Sequence, residues 1–247
     1  MSKEENNKIE IETTTEQNTI HSLFTEIEKE FTHELDLDQK IRNSSYSVTT
    51  FSKRMIFTLH RLSNPSDNQK AIMKRAGTIE SECLENLQNL MKLVLESPDY
   101  YWKYQYRITQ GMQEFLEALS FKHWLETKEV ITLEQINKKL AFDFLKEETF
   151  LITAMDYVGG IADLTGELMR FATDSYAKGN HQILDKILET MKKVYKDTQE
   201  ALGINSLKMW NKLSVMGNSI EKVENLCYLR KLRLSNSDQK IAELLLD

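Results

Sequence analysis

Proline and glycine are scarce in this chain, at 2 and 8 of its 247 residues. With so few breakers, long helices can run uninterrupted, and an all-α fold is expected. Cysteine is equally rare. Cys83 and Cys227 stand singly among Leu and Ile at helical spacing, so neither a disulfide framework nor a cysteine metal site is expected, and both read as buried thiols. No apolar run reaches about 18 residues without charge, and the N-terminus has no apolar signal core, so neither membrane spanning nor secretion is expected. The chain is expected to be soluble and cytoplasmic, with a nuclear location also open. A basic excess is missing too: 32 Lys and Arg against 38 Asp and Glu give a net charge of −6. That balance argues against a stand-alone nucleic-acid binder. What is present is 40% hydrophobic residues, enough to bury a sizeable core.

Residues 1–17 are polar, acidic and without periodicity, and are expected to form a disordered tail. Residues 18–247 are expected to form one helical domain, because no repeat, linker or composition shift divides them. Apolar positions recur every three or four residues from Leu23 to Leu62, which predicts one very long helix with a weak stretch near Ser44. The turn Asn64-Pro65-Ser66-Asp67 ends it. A second helix carries Ile72 to Val94 and stops at Ser97-Pro98, where Ser97 as N-cap and Pro98 as first helical residue open a third, running to about Thr127. Thr132 and Gln135 make a capping box for a short fourth helix to about Leu145. Asp156 is expected to cap a fifth, ending at Lys178-Gly179-Asn180 with Gly179 in the left-handed conformation. A sixth is expected over 181–201 and a seventh over 206–234, with Ser237 capping a last short turn.

Two of these apolar helices are interrupted by acid pairs, Glu114 with Glu117 and Asp163 with Glu167. Spacings of three and four residues keep each pair on one helix face. Two arrangements fit. Either both pairs lie on solvated faces, Glu167 bridging to Arg170 one turn on, or the pairs meet across the bundle. Four carboxylates brought together would repel, and a divalent cation would relieve the conflict. All-oxygen ligands favour Mg²⁺, Mn²⁺ or Ca²⁺ over zinc. The apolar neighbours Phe115, Leu116, Leu119, Ile161, Leu164 and Leu168 leave little room for fully solvated faces.

Other candidates are weaker. Lys103 and Arg107, in the aromatic stretch Tyr100–Arg107, and Lys53 with Arg54 and Arg61 are candidate RNA-phosphate contacts, although such cations are commonly solvated surface. His60 and His123 are available for proton transfer, but each is read first as structural. Gly159, Gly160 and Gly166 lack a preceding strand and a following Lys-Ser/Thr, so they are read as permitting close helix packing rather than as a phosphate loop. No Glu-x-x-His pair accompanies the acids, which argues against a di-iron centre.

Several segments resemble the translin superfamily, and within it the Trax-like branch. They are Phe51–Leu62, Ile108–His123, Ile131–Leu140, Asp156–Arg170 and Lys222–Tyr228. Ala162-Asp-Leu-Thr-Gly-Glu-Leu-Met-Arg170 is the most specific, since translins are similar there but lack the acid at Asp163. The resemblance implies a bundle of about seven helices that assembles with translin into a hollow octameric shell. It also implies Mg²⁺-dependent endoribonuclease activity on single-stranded or nicked passenger-strand RNA, on tRNA-derived fragments, and binding of single-stranded DNA. Mn²⁺ is expected to substitute for Mg²⁺. By motif position Glu114, Glu117, Asp163 and Glu167 match the family's catalytic acids. Glu117 and Glu167 are then the expected direct metal ligands, with Glu114 and Asp163 completing the shell or orienting water. The alternative is a noncatalytic translin-binding scaffold whose acids form ion pairs. The tail lacks a basic nuclear-import cluster, the segment between Phe144 and Thr153 is short, and Arg107 with its tyrosines does not match the family closely.

Overall fold

In a computed structural model, residues 3–95, 98–141, 152–202 and 207–244 are described, with side chains described for 20–95, 103–141, 152–201 and 210–233. Helix α1 spans Lys3–His60 and continues as a single 3-10 turn, Arg61–Ser63. It is followed by α2 (Gln69–Leu95), α3 (Pro98–Thr127), α4 (Leu133–Lys139), α5 (Ala154–Ala177), α6 (Leu184–Leu202) and α7 (Leu207–Leu244). Every element among the described residues is helical, as expected. None of these helices is long and apolar enough to cross a membrane.

The core lies in two clusters along the bundle. Ile41 and Val48 of α1 pack with Leu87, Leu90 and Met91 of α2 and with Phe115 and Leu119 of α3. Farther along, Met55 and Leu59 of α1 meet Phe121 and Trp124 of α3, Leu164 and Leu168 of α5, Ile187 and Met191 of α6, and Val223 of α7. Helix α3 therefore sits centrally, with α1 and α2 on one side and α5 on the other, and α6 and α7 cover α5.

Several local signals are realised. Pro98 opens α3. Thr132 and Gln135 form the reciprocal capping box of α4. Gly179 takes φ +79° after α5, and the amides of Gly179 and Asn180 return to the carbonyls of Tyr176 and Ser175, closing a Schellman turn. Cys83 and Cys227 are buried free thiols, and burial pushes the Cys83 thiol up to about 11.

Helix α1 begins at Lys3, in a stretch with no proline or glycine to stop a helix. Between Ile20 and Asp36 it nevertheless buries no side chain, so this part of α1 adds nothing to the core. Helix α4 ends at Lys139, not near Leu145, which lies with Phe144 outside the described residues. The cap of α5 is Thr153, whose hydroxyl accepts from the Asp156 amide and donates to the Asp156 carboxylate. Asp156 thus occupies the first turn, where a carboxylate faces the positive end of the helix dipole. Helix α7 runs through Ser235-Asn236-Ser237 to Leu244, because Ser and Asn cost a helix only tenths of a kcal/mol each, roughly, without a proline or glycine to stop it. Ser97, the expected cap of α3, lies outside the described residues, as do the side chains of Tyr100, Tyr101 and Trp102.

A candidate acidic active site

The close approach of α5 to α3 begins at two glycines. A Cβ on Gly160 would stand 2.6 Å from Leu116 Cβ and 3.4 Å from the Glu117 amide, and one on Gly159 would stand 2.9 Å from the Gln113 side chain. Only hydrogen fits at Gly160, so the backbones that carry the two acid pairs approach closely. Gly166 does not share that role: a Cβ there meets nothing within 4 Å.

Buried Phe115, Leu116, Ala118, Leu164 and Leu168 fill the helix faces beside the acids. The acids project where α3, α5, α1 and α7 meet. Glu114 pairs with Lys53 of α1 at 3.1 Å. Asp163 pairs with Lys212 of α7 at 2.6 Å. Glu167 is buried and pairs with His60 Nε2 at 2.6 Å and with Arg170 at 3.0 Å. The Arg170 bridge weighed from the sequence therefore exists, but as one of two contacts on a buried carboxylate.

Glu117 differs from the other three. Among the described residues no ion pair or hydrogen bond engages its carboxylate. Burial, followed by the charges of Glu167, Asp163 and Glu114, pushes it up to about 8, against a smaller opposing pull from Lys212. Of the three neighbouring acids, Glu167 acts most strongly on Glu117. Sequence spacing had put these four on two helices, and the structure couples them electrically.

Among the described residues, no group of three or more His, Cys, Asp and Glu side chains is placed so that it could hold a metal ion as it stands. Three of the four acids are instead engaged by their own cations, and the fourth is uncompensated. Of the other three acids, Glu167 is the one most strongly coupled to Glu117, and a metal held by these side chains would meet oxygen donors, the kind that hard divalent cations prefer.

The structure identifies two partners of the acids, His60 and Lys212. His60 leans against Phe121 and Phe171, with ring centroids 5.0 and 6.2 Å away, and its Nδ1 is buried without a partner. Its place beside Glu167 makes it part of the site, whereas His123 makes no described contact with the acids. Lys212 was missed altogether. Its ammonium donates to Asp163, to the Gly159 carbonyl at 3.0 Å and to Gln113 at 3.4 Å, joining α7 to both acid helices. A usable signal existed, because Lys212 precedes buried Met216 and Ile220 by four and eight residues, on the packed face of α7.

Of the remaining expected cations, Lys53 reaches the acids through Glu114, and the others lie elsewhere. Arg107 grips Asp38 through Nε and Nη2, at 3.1 and 3.2 Å, and Lys103 pairs with Glu34, so both tie α3 to α1. Tyr104 is buried among core residues. Arg61 pairs with Asp67 at 3.4 Å. Lys53 and Arg54 face a groove between α1 and α2.

Comparison with known proteins fits this architecture. Residues 36–234 match the Translin family. Translin-associated protein X of Rattus norvegicus is 30% identical over 227 residues, covering 83% of this chain and 77% of the relative. The Translin-associated protein X homolog of Schizosaccharomyces pombe is 32% identical over 222 residues, covering 86% and 87%. Among solved structures, apo-NeC3PO aligns with a TM-score of 0.65 at 18% identity, covering 83% of this chain and 96% of that one. AfC3PO in a duplex RNA complex aligns at 0.56 and 21%, covering 85% and 97%. From the match across most of its length and the identity to these relatives, the chain belongs to the translin family.

Proposed function

We propose that this chain is the catalytic subunit of a complex with translin, a Mg²⁺-dependent endoribonuclease acting on single-stranded RNA. The observation that carries the proposal is the gathering of four acids from two helices around Glu117, the one of the four that no cation pairs with and the one whose proton affinity the others raise. The relatives named for association with translin support the partner, and the duplex RNA held by a neighbour of the same fold supports RNA as the ligand.

Glu117 and Glu167 would hold the metal, and Mn²⁺ would serve in place of Mg²⁺. When bound, the ion polarises the scissile phosphate and stabilises its developing charge. His60 and Arg170 fix the orientation of Glu167 by holding both of its oxygens. Lys212 holds Asp163, and Lys53 holds Glu114, leaving the free lone pairs of those two carboxylates to orient the attacking water. Because the chain carries net negative charge, translin subunits would supply much of the positive potential that attracts RNA.

A second reading is favoured by the ion pairs on Glu114, Asp163 and Glu167: a noncatalytic scaffold that binds translin, with the acids serving as structural bridges. Co-expression with a translin, followed by Mg²⁺-dependent cleavage of a single-stranded RNA, separates the two. Glu114→Ala/Glu117→Ala is expected to lose cleavage to background at matched assembly by light scattering. Equal cleavage in the wild type and the double variant, or an assembled wild type that cuts nothing, would sink the catalytic reading in favour of the scaffold.

A further inference from the structure

A groove of about 1000 Å³ runs between α1 and α2. Tyr46, Lys53, Arg54 and Phe57 enter it from one face of α1, at spacings of seven, eight and eleven residues from Tyr46. Lys74 and Arg75 face them from α2. Glu82 is the sole carboxylate on its lining. None of the ion pairs among the described residues involves Arg54, Lys74 or Arg75. Tyr46 and Phe57 are 73% and 76% exposed, although both sit on a helix whose opposite face is core. A net acidic protein has here gathered four cations around two bare rings.

We propose that this groove is a track for single-stranded RNA, feeding the acidic site. The chemistry of the lining matches the ligand: cations follow a phosphate backbone, while exposed rings stack bases without regard to sequence. The groove also connects with the acids, because the Lys53 ammonium that lines it is the one that pairs with Glu114 at 3.1 Å. A phosphate on Lys53 lies beside the acid cluster, with the strand extending over Arg54, Lys74 and Arg75. Arg107 and Lys103, engaged with Asp38 and Glu34, have no part in this track. The inference rests on the endoribonuclease proposal for its substrate, but it specifies a binding surface and can be tested separately.

The probe is a fluorescein-labelled 20-nucleotide oligouridylate, bound by the full chain alone and co-purified with a translin, and read by anisotropy across a salt series. Lys74→Glu/Arg75→Glu is expected to weaken binding at least tenfold and to flatten the plot of log affinity against log salt by about 1.4, two single-strand phosphate contacts. Tyr46→Ala/Phe57→Ala is expected to weaken binding about tenfold with the salt slope retained, the mark of lost stacking. Unchanged affinity and slope in the charge-reversed variant would overturn the track, whether or not the wild type cleaves. Loss of translin assembly with unchanged RNA binding would overturn it as well, making the groove a protein interface. A wild type that binds through these residues yet cuts nothing would sink the endoribonuclease reading and uphold the track.

Discussion

Glu80 and Glu117 are both carboxylates withdrawn from solvent in one bundle, and they are treated in opposite ways. Glu80, on α2, receives Lys139 of α4 at 2.6 Å and Lys122 of α3 at 3.0 Å. Burial alone would raise its proton affinity, but those two ammonium groups outweigh it and hold Glu80 below the usual carboxylate range. Glu117, partly buried, is also penalised by desolvation, pairs with no cation and faces three other acids. The first arrangement clamps three helices together. The second leaves a carboxyl whose ionisation no paired cation supports, and a perturbed acid of that kind marks a place for a ligand rather than a brace.

The largest effect comes from removing the anomalous member. In chelator, folded Glu117 keeps its proton up to about 8, while the unfolded chain releases it near 4.5. Between those values the folded state binds more protons, so its stability is full below about 4.5 and falls as pH rises through 8. Glu117→Gln is expected to abolish that decline, roughly 2–4 kcal/mol after discounting for coupling among the acids, and to abolish cleavage. Melting curves at pH 5 and 8.5 with EDTA check the first part. Parallel declines in the variant and wild type would place the titration elsewhere.

Glu80→Ala should do the reverse. Its contribution is present above the unfolded carboxylate value and is lost as pH falls through the lower folded one. At pH 7 the substitution is expected to cost about 2–4 kcal/mol, since it leaves two cations beside an emptied site. Urea denaturation measures this, with cleavage per folded complex unchanged. A strong loss of activity at full stability would erase the distinction drawn between the two carboxylates.

Gly160→Ala tests the spacing that brings the acids together. The added methyl meets Leu116 Cβ at 2.6 Å, so α3 and α5 must part, at an expected cost of about 1–3 kcal/mol. The same change at Gly166 meets open space and should be neutral or slightly stabilising, because alanine favours helix.

This pair of glycines also marks how far the sequence was legible. Helical periodicity set Glu114 with Glu117 and Asp163 with Glu167 on shared faces, and Pro98, Thr132 and Gly179 punctuated the helices by local chemistry that tertiary contacts did not override. Gly160 and Gly166 look alike in the chain, however, and which of them faces α3 is decided only by packing. Thr153 and Asp156 are both competent caps, and choosing between them requires the entry angle of α5. The continuation of α7 past Ser237 lacked any stop signal to weigh against it. The partners of the acids were the least legible part, because His60 stands 107 residues from Glu167 and Lys212 stands 49 from Asp163.

Lys212 supplies the finest test of the contrast. Its pair with Asp163 leaves both side chains partly exposed, at 27% and 39%, so the bridge should add little stability, under about 1 kcal/mol. Yet the same ammonium also binds the Gly159 carbonyl and Gln113, fixing Asp163 relative to the two acid helices. Lys212→Met is therefore expected to leave the melting temperature nearly unchanged while lowering kcat/KM for RNA about tenfold, which is about 1.4 kcal/mol of transition-state stabilisation. Mn²⁺ affinity should not fall, because the variant removes a cation that competes for Asp163. A large loss of stability with normal turnover of the folded fraction would instead make Lys212 a brace like Lys139, and the acid cluster would then be held by the logic of Glu80.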